Sequence, residues 1–416
     1  MRRADWLVDV GPHAGERGGQ VLYSGAPEGL AQVAGSQTKK YLFGAEARPS
    51  RLRRTPQHWL TLQGVQRNNL RGVDAAFPIG CLSAVTGVSG SGKSSLVSQA
   101  LLELVSAHLG QRLPVAEEEG LPPEAAAGDD DPGAASTADS AGAMLGTLGG
   151  ATGQIRRLVL VDQKPIGRTP RSNLATYTGL FDAVRKLFAA TKAARSRHFD
   201  AGRFSFNVAK GRCPTCEGEG FVKVELAFLP MAYAPCTTCH GTRYNPETLA
   251  VTWNGLTIAD VLGLTVDAAC EAFAEEGAVL RPLQVLRDIG LGYLRLGQPA
   301  TELSGGEAQR IKLATELQRT QRGHTLYVLD EPTTGLHPAD VDRLLQQLDA
   351  FVQAGNTVVV VEHDMHFVAR TDWVIDMGPG AGDEGGCIVA SGTPEEVAQH
   401  PISRTAPYLA QSLAGR

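Results

Sequence analysis

Gly87 to Ser95 reads GVSGSGKSS and fits the spacing G-x-x-x-x-G-K-[ST], directly after the apolar run CLSAVT and before the helical run LVSQALLELV. Strand, glycine loop and helix in that order wrap backbone N–H groups around phosphate oxygens at a helix N-terminus, where the peptide dipoles favour negative charge. Gly87, Ser89, Gly90, Ser91, Gly92, Lys93, Ser94 and Ser95 form the expected cradle for ATP. In it Lys93 reaches the β- and γ-phosphates and Ser94 ligates Mg²⁺. LYVLDEP ends a buried strand with Asp330 and Glu331. Adjacent carboxylates at a strand end diverge, so Asp330 can hold Mg²⁺ through water while Glu331 polarises the attacking water. VVVVEHD supplies His363, a neutral donor for the γ-phosphate, and LVLVDQ supplies Gln163, able to sense the metal and the lytic water.

A second chemistry lies in C-x2-C-x19-C-x2-C, formed by Cys213, Cys216, Cys236 and Cys239. Glycines after each pair permit the tight turn that brings sulfurs and N–H groups toward one ion, and four thiolates make a closed structural Zn²⁺ site. Residues 156 to 212 carry thirteen Lys and Arg against three Asp. Within them Pro165 and Pro170 forbid a regular helix, leaving RTPRSN as a fixed loop of donors suited to a DNA backbone. Arg168 and Arg171 are the expected DNA contacts, with Lys164 and Lys210 behind them. A third anion site is expected at LSGGEAQR, where Ser304 caps a helix and Gly305 and Gly306 leave its N-terminus bare. One nucleotide pocket has no use for two such helices. The second makes sense closing over the γ-phosphate of a facing cassette, so that ATP joins the two.

The elements that must position these groups are short apolar runs alternating with helical patterns such as DVDRLLQQLDAFVQAG, the pattern of a parallel sheet covered on both faces. Residues 114 to 154 are Ala, Gly, Pro, Ser and acid, and are expected to be a disordered insertion. The chain also repeats itself. ADWLVDVGPHAGERGGQVLYSGAPE from Ala4 and TDWVIDMGPGAGDEGGCIVASGTPE from Thr371 share 13 of 25 residues without a gap, and S-x-T-x-x-Y-L follows in both copies, from Ser36 and from Ser403. The spacing is far beyond a solenoid period and marks a duplicated domain, of which the first copy holds only the end. The chain is therefore expected to begin mid-protein. A net charge of -5 neither demands nor excludes nucleic acid, and no apolar run approaches membrane-spanning length, so a cytoplasmic location with no membrane partner is the expectation.

P-loop, Gln loop, LSGGE-Q, D-E and the later His together resemble an ATP-binding-cassette (ABC) ATPase. With DQKPIGRTPRSN, FSFNV, the spaced cysteines and DEPTTGLH in one order, the chain resembles the UvrA family over nearly everything except residues 111 to 155. That resemblance implies an α/β fold of P-loop NTPase, ABC type, with an inserted helical and zinc-binding signature domain. It divides the chain into 1–43, the C-terminal tail of a first, missing cassette; 44–110, the P-loop part of a second; and 111–155, the acidic insertion. The signature arm follows in 156–300, with its zinc module at about 204–245, and 301–416 carry LSGGE, the acidic pair and His363. It implies an ATPase of nucleotide excision repair, with ATP, Mg²⁺ and Zn²⁺, that binds damaged double-stranded DNA and loads a UvrB-like helicase subunit through missing regions. It cuts no DNA itself. A complete ATP site needs a homodimer or the missing first cassette. Lys164 and E-H-D at 362–364 are similar to UvrA-like paralogues of drug tolerance acting without UvrB, which stand as the alternative; a transporter-type ATPase fits less well, since the zinc module and basic loop occupy the arm that would meet a membrane partner.

Overall fold

The computed structural model describes residues 3–12, 18–43, 53–111, 145–224, 232–319 and 323–414. In chain order the strands are β1 (Leu7–Gly11), β2 (Gln20–Gly25), β3 (Trp59–Arg67), β4 (Leu70–Pro78), β5 (Leu82–Gly87), β6 (Leu145–Gly150), β7 (Ile155–Val161), β8 (Phe221–Val224), β9 (Ala232–Pro235), β10 (Thr252–Trp253), β11 (Leu256–Thr257), β12 (His324–Asp330), β13 (Thr357–Val361), β14 (Trp373–Gly378) and β15 (Cys387–Gly392). The described residues form two compact units, one from those within 1–111, 145–163 and 323–414, the other from those within 164–319.

The first unit is built on a six-stranded sheet of order β15-β14-β5-β13-β12-β7. Every neighbouring pair is parallel except β14 with β15. β13 is buried along its whole length and β5 and β12 nearly so, which is why their sequences are unbroken apolar runs. Leu96, Val97 and Leu101, from the helical turns after the glycine loop, pack on Val85, Val328 and Val359 of these strands. Parallel order has one functional consequence: β5, β7, β12 and β13 all end at the same sheet edge, so the segments that follow them converge.

A three-stranded antiparallel sheet, β4-β3-β6, covers the same core with Leu60, Leu62 and Phe77. Its third strand corrects the expectation of an insertion running to residue 155. Residues 145–155 are ordered, with β6 paired to β3 from Leu60↔Gly150 to Gln66↔Leu145, while 112–144 lie outside the described residues. The glycines that read as linker are required by the pairing. A Cβ on Gly150, at φ +79°, would lie 2.2 Å from the Trp59 carbonyl oxygen.

The repeat is reproduced bond for bond. In the second copy Trp373 Nε1 donates to Ser391 Oγ at 2.9 Å, and Asp376 accepts Ser403 Oγ and Thr405 Oγ1 at 2.7 and 2.6 Å. In the first, Trp6 Nε1 donates to Ser24 Oγ at 3.0 Å, and Asp9 accepts Ser36 Oγ and Thr38 Oγ1 at 2.6 and 2.7 Å. Their surroundings differ. β14 lies between β5 and β15, whereas among the described residues β1 pairs with β2 alone. Ile375 and Met377 are buried; their counterparts Val8 and Val10 are 54 and 58% exposed.

The second unit is helical, with a core that includes Leu174, Phe188, Phe204, Phe273, Leu286 and Ile311. Six of its described helices begin on side chains that accept an N–H of the first turn, Asn173, Thr191, Asn245, Thr257, Thr265 and Ser304, while those after Gly179 and Glu276 have no such cap. The antiparallel pair β8–β9 carries the cysteine knuckles at its ends.

Candidate functional site

At the sheet edge of the first unit, Gly87 ends β5 at φ +136°, where a Cβ would stand 2.2 Å from the Met377 carbonyl oxygen; no other residue fits. Lys93 is buried, and its Nζ donates to the carbonyls of Gly87 and Val88 at 3.0 and 2.9 Å, folding the loop around the ammonium. Burial draws its pKa below the ordinary lysine value, against the carboxylates of Glu331, Asp376 and Asp330. Ser89, Gly90 and Ser94 are exposed. Ser91 is buried, its hydroxyl without a hydrogen-bond partner among the described residues. Ser95 is also buried and accepts Asn68 Nδ2 at 2.9 Å, so its hydroxyl braces the loop from behind.

Asp330 and Glu331 close β12. Burial raises the Asp330 pKa, with Glu331 adding and Lys93 opposing. Glu331 takes φ +43°, its N–H bonding Val361 O at 2.9 Å. That left-handed backbone at an otherwise regular strand end turns the carboxylate away from the strand line. Gln163 Nε2 donates to the Glu331 carbonyl at 3.2 Å, and His363 Nε2 lies 3.3 Å from Glu331 Oε1. The structure thus brings together the lysine loop, the acidic pair, Gln163 and His363. Burial first, then Lys93, hold His363 below the ordinary histidine pKa against Glu331, leaving a neutral imidazole at pH 7.

Three groups at this edge escaped sequence reasoning. Buried Glu362 accepts the N–H groups of Thr333, His363 and Asp364 at 2.9, 2.9 and 3.2 Å, fixing the turn after β12 to the turn after β13. Asn69 Nδ2 donates to the carbonyls of Gly90 and Gly382, while Gly382 N donates to Gly90 O and Gly386 N to Ser91 O. The glycine-rich stretch of the second repeat is therefore a brace for the phosphate loop. Asp376 accepts Thr86 Oγ1 at 2.7 Å one residue before Gly87. The only advance signal was that both Asp376 and this stretch belong to the repeat.

In the second unit the four cysteines of the spaced motif are buried, with all four sulfurs within 4.8 Å of one another. Cys213 and Cys236 sulfurs are 4.0 Å apart, Cys216 and Cys239 3.6 Å. Burial pushes Cys216 up to about 12. At Cys236 desolvation raises the thiol, but the N–H groups of Cys239 and Thr238 together with hydrogen bonds to the Cys239 and Cys216 thiols outweigh it and bring it down to about 7. Four converging sulfurs can hold one metal ion. Arg168, Lys164 and Lys210 lie on the surface. Arg171 does not stand open with them: its guanidinium is 3.5 and 3.6 Å from Glu217 and Glu219 of the first knuckle. Ser304 caps the helix Gly305–Gln318 reciprocally with Glu307, whose carboxylate accepts Ser304 N at 2.8 Å. Among the described residues no helix is long and apolar enough to cross a membrane.

A parallel sheet bearing this loop, acidic pair and histidine, and a helical insertion bearing four clustered cysteines, define an ABC-type P-loop nucleotide-binding fold. No family model matches the chain. It is 50% identical to the UvrABC system protein A of Streptomyces avermitilis over 416 residues, 99% of this chain and 39% of that protein. To the protein of the same name from Mycobacterium bovis it is 47% identical over 420 residues, 100% of this chain and 40% of the other. The crystal structure of UvrA2 from Deinococcus radiodurans superposes with a TM-score of 0.88 and 60% identity, over 99% of this chain and 47% of that one. The chain belongs to the UvrA family and spans about two fifths of the length of the curated relatives it matches.

Proposed function

We propose that this chain is an ATP-hydrolysing, DNA-binding module of UvrA type, in which nucleotide-driven pairing of two cassettes serves recognition of damaged DNA and hand-off to a UvrB-like helicase subunit. The observation that carries this reading is the convergence of Lys93, Asp330, Glu331, Gln163 and His363 on one sheet edge in a chain of this ancestry. ATP fits the loop: an orphaned Ser91 hydroxyl and a lysine held by backbone carbonyls are what a phosphate would complete. Mg²⁺ would sit on exposed Ser94 and on Asp330, neutralising the charge on the phosphates. Glu331 orients and deprotonates the attacking water, neutral His363 donates toward the γ-phosphate, and Gln163 reports on both through the Glu331 carbonyl. Ser304, Gly305 and Gly306 supply the second wall of the phosphate site of a facing cassette.

The metal is zinc. Sulfur separations of 3.6 and 4.0 Å bracket the edge of about 3.8 Å that four Zn–S bonds of about 2.3 Å give a tetrahedron. With four thiolates the site is closed, so it shapes the arm and catalyses nothing. Arg168, Lys164 and Lys210 meet DNA phosphates. Residues 1–43 are the closing strands of a cassette other than the one formed by 44–416, a reading supported by the matching hydrogen bonds of Asp9 and Asp376.

The test compares ATP turnover of the wild type, Lys93→Ala and Glu331→Gln on lesion-bearing and intact duplex. Lys93→Ala is expected to lose nucleotide binding, and Glu331→Gln to bind ATP without turnover and remain paired. Full turnover in either variant, or equal stimulation by both DNAs with no capture of a UvrB-type subunit, overturns the proposal.

A further inference from the structure

Arg243 follows the last cysteine of the knuckle by four residues and is 4% exposed. Its backbone, at φ +73°, is built into the knuckle: the carbonyl accepts Cys213 N at 2.9 Å. Its guanidinium leaves the knuckle by two prongs. One nitrogen donates to Pro170 O at 2.9 Å, the other to Gly297 O at 3.1 Å, and the plane lies 5.1 Å from the Phe206 ring centroid. No carboxylate forms an ion pair with it among the described residues. A buried guanidinium stays charged, and its fork matches two acceptors at once. The charge therefore needs compensation, and the negative groups that act on it include Cys216 and Cys239 of the knuckle, ahead of the Glu219 carboxylate; four thiolates around one divalent ion carry a net charge of about -2.

The two carbonyls it grips belong to segments with functional weight. Pro170 lies in the RTPRSN loop, two residues from Arg168. Gly297 opens the turn that leads through Ala300–Glu302 to Ser304 and the capped helix. These segments are also tied to each other, by Ala300 N to Ser172 O at 2.8 Å, Ala175 N to Leu296 O at 3.0 Å and a bridge between Asn173 and Pro299. We propose that Arg243 is a positioning residue: it balances the charge of the four-cysteine centre and clamps to that centre both the basic loop and the segment entering the Ser304 helix. A change at the helix entrance is thereby felt at the loop through this side chain, in addition to the direct backbone bonds between the two segments. This rests on the four-cysteine metal reading above.

The fork and the charge are separable by substitution. Arg243→Lys keeps the cation and loses the two-pronged grip; Arg243→Met loses both. Zinc release to a chromophoric chelator and hydrogen exchange of residues 168–173 and 297–304 are measured in both variants and in wild-type protein before and after chelation. Arg243→Lys is expected to release zinc at close to the wild-type rate while exchange in both segments rises about tenfold, the effect of losing one charge-assisted hydrogen bond. Arg243→Met is expected to add faster zinc release. If it does not fold, the chelated wild type serves, and faster exchange in both segments is expected there. Unchanged exchange in Arg243→Lys, or in the chelated wild type, overturns the coupling. Absence of zinc from wild-type protein sinks the metal reading and the charge-balancing role with it, while a response of both segments to Arg243→Lys would still leave the clamp standing.

Discussion

Asp9 and Asp376 occupy the same place in the two copies of the repeat, so the molecule contains its own control for the worth of a buried carboxylate. Asp376 is 2% exposed and accepts three hydroxyls, from Thr86, Ser403 and Thr405, at 2.6 to 2.7 Å. Asp9 is 7% exposed and accepts two, from Ser36 and Thr38. A hydrogen bond to a charged group contributes about 1.5 to 3 kcal/mol, with bonds sharing one acceptor adding less than their sum. Asp376→Ala strands three buried donors and is expected to destabilise the first unit by about 4 kcal/mol, against about 2 for Asp9→Ala. The difference should reach function selectively. Thr86 immediately precedes Gly87, so freeing it loosens the turn that places Lys93, whereas the hydroxyls bonded to Asp9 are those of Ser36 and Thr38, away from the loop. Urea unfolding followed through tryptophan fluorescence, alongside titration with a fluorescent ATP analogue at a denaturant-free temperature where both variants are folded, checks both parts. Asp376→Ala should bind nucleotide at least about tenfold more weakly, the equivalent of 1.4 kcal/mol, and Asp9→Ala at the wild-type affinity. Equal nucleotide affinities in the two variants would refute the claim that the repeat's carboxylate supports the phosphate loop.

Arg168→Ala should make the dependence of DNA affinity on salt shallower by about one phosphate contact, a slope change of about 0.9, whereas Arg171→Ala should leave the slope unchanged because Arg171 is engaged by Glu217 and Glu219; identical slope changes would place both on the DNA. For His363 the sign runs toward acid. Its pKa lies below 6.5, so it stays neutral until the pH falls through that lowered value, and turnover should hold at pH 6.5 and decline only below it, as a pH profile of kcat would show. An acid limb centred above 6.5 would mean that the imidazole is not the group titrating, or not neutral when it acts.

What sequence reasoning could reach was whatever is encoded within a few residues. A phosphate loop, a pair of adjacent carboxylates and two C-x-x-C turns are local objects, since each works through backbone geometry or neighbouring side chains, and their order implied the sheet. Asn69, Glu362 and Arg243 are different in kind. Each acts by donating to or accepting from backbone that is distant in the chain, and a backbone carbonyl has no sequence identity: nothing in Pro170 or Gly297 announces that it will be gripped by Arg243. The ion pairs of Arg171 were hidden for the same reason, its acidic partners lying some 46 and 48 residues away in a stretch that reads as a metal knuckle. Gly146, Gly149 and Gly150 misled in the opposite direction. Low-complexity composition reports the lack of side chains to bury, and in β6 that lack is what lets one backbone pass against another.

The repeat joins these two levels. Thirteen identities announced two similar structures, and two similar hydrogen-bond sets were found; among the described residues, P-loop strand β5 lies beside the second copy alone. In the second copy β14 lies against β5, Ile375 and Met377 are sealed, and Thr86 gives Asp376 its third donor. In the first copy Val8 and Val10 present the same face to solvent, and Asp9 holds only its own Ser and Thr. The hairpin is held by Trp6 to Ser24 and by Asp9 to Ser36 and Thr38, and the segment that follows it also meets His337 and Asp342 through Thr38 and Tyr41. In the second copy the neighbouring strand is what ties Asp376 to the phosphate loop, through Thr86 immediately before Gly87.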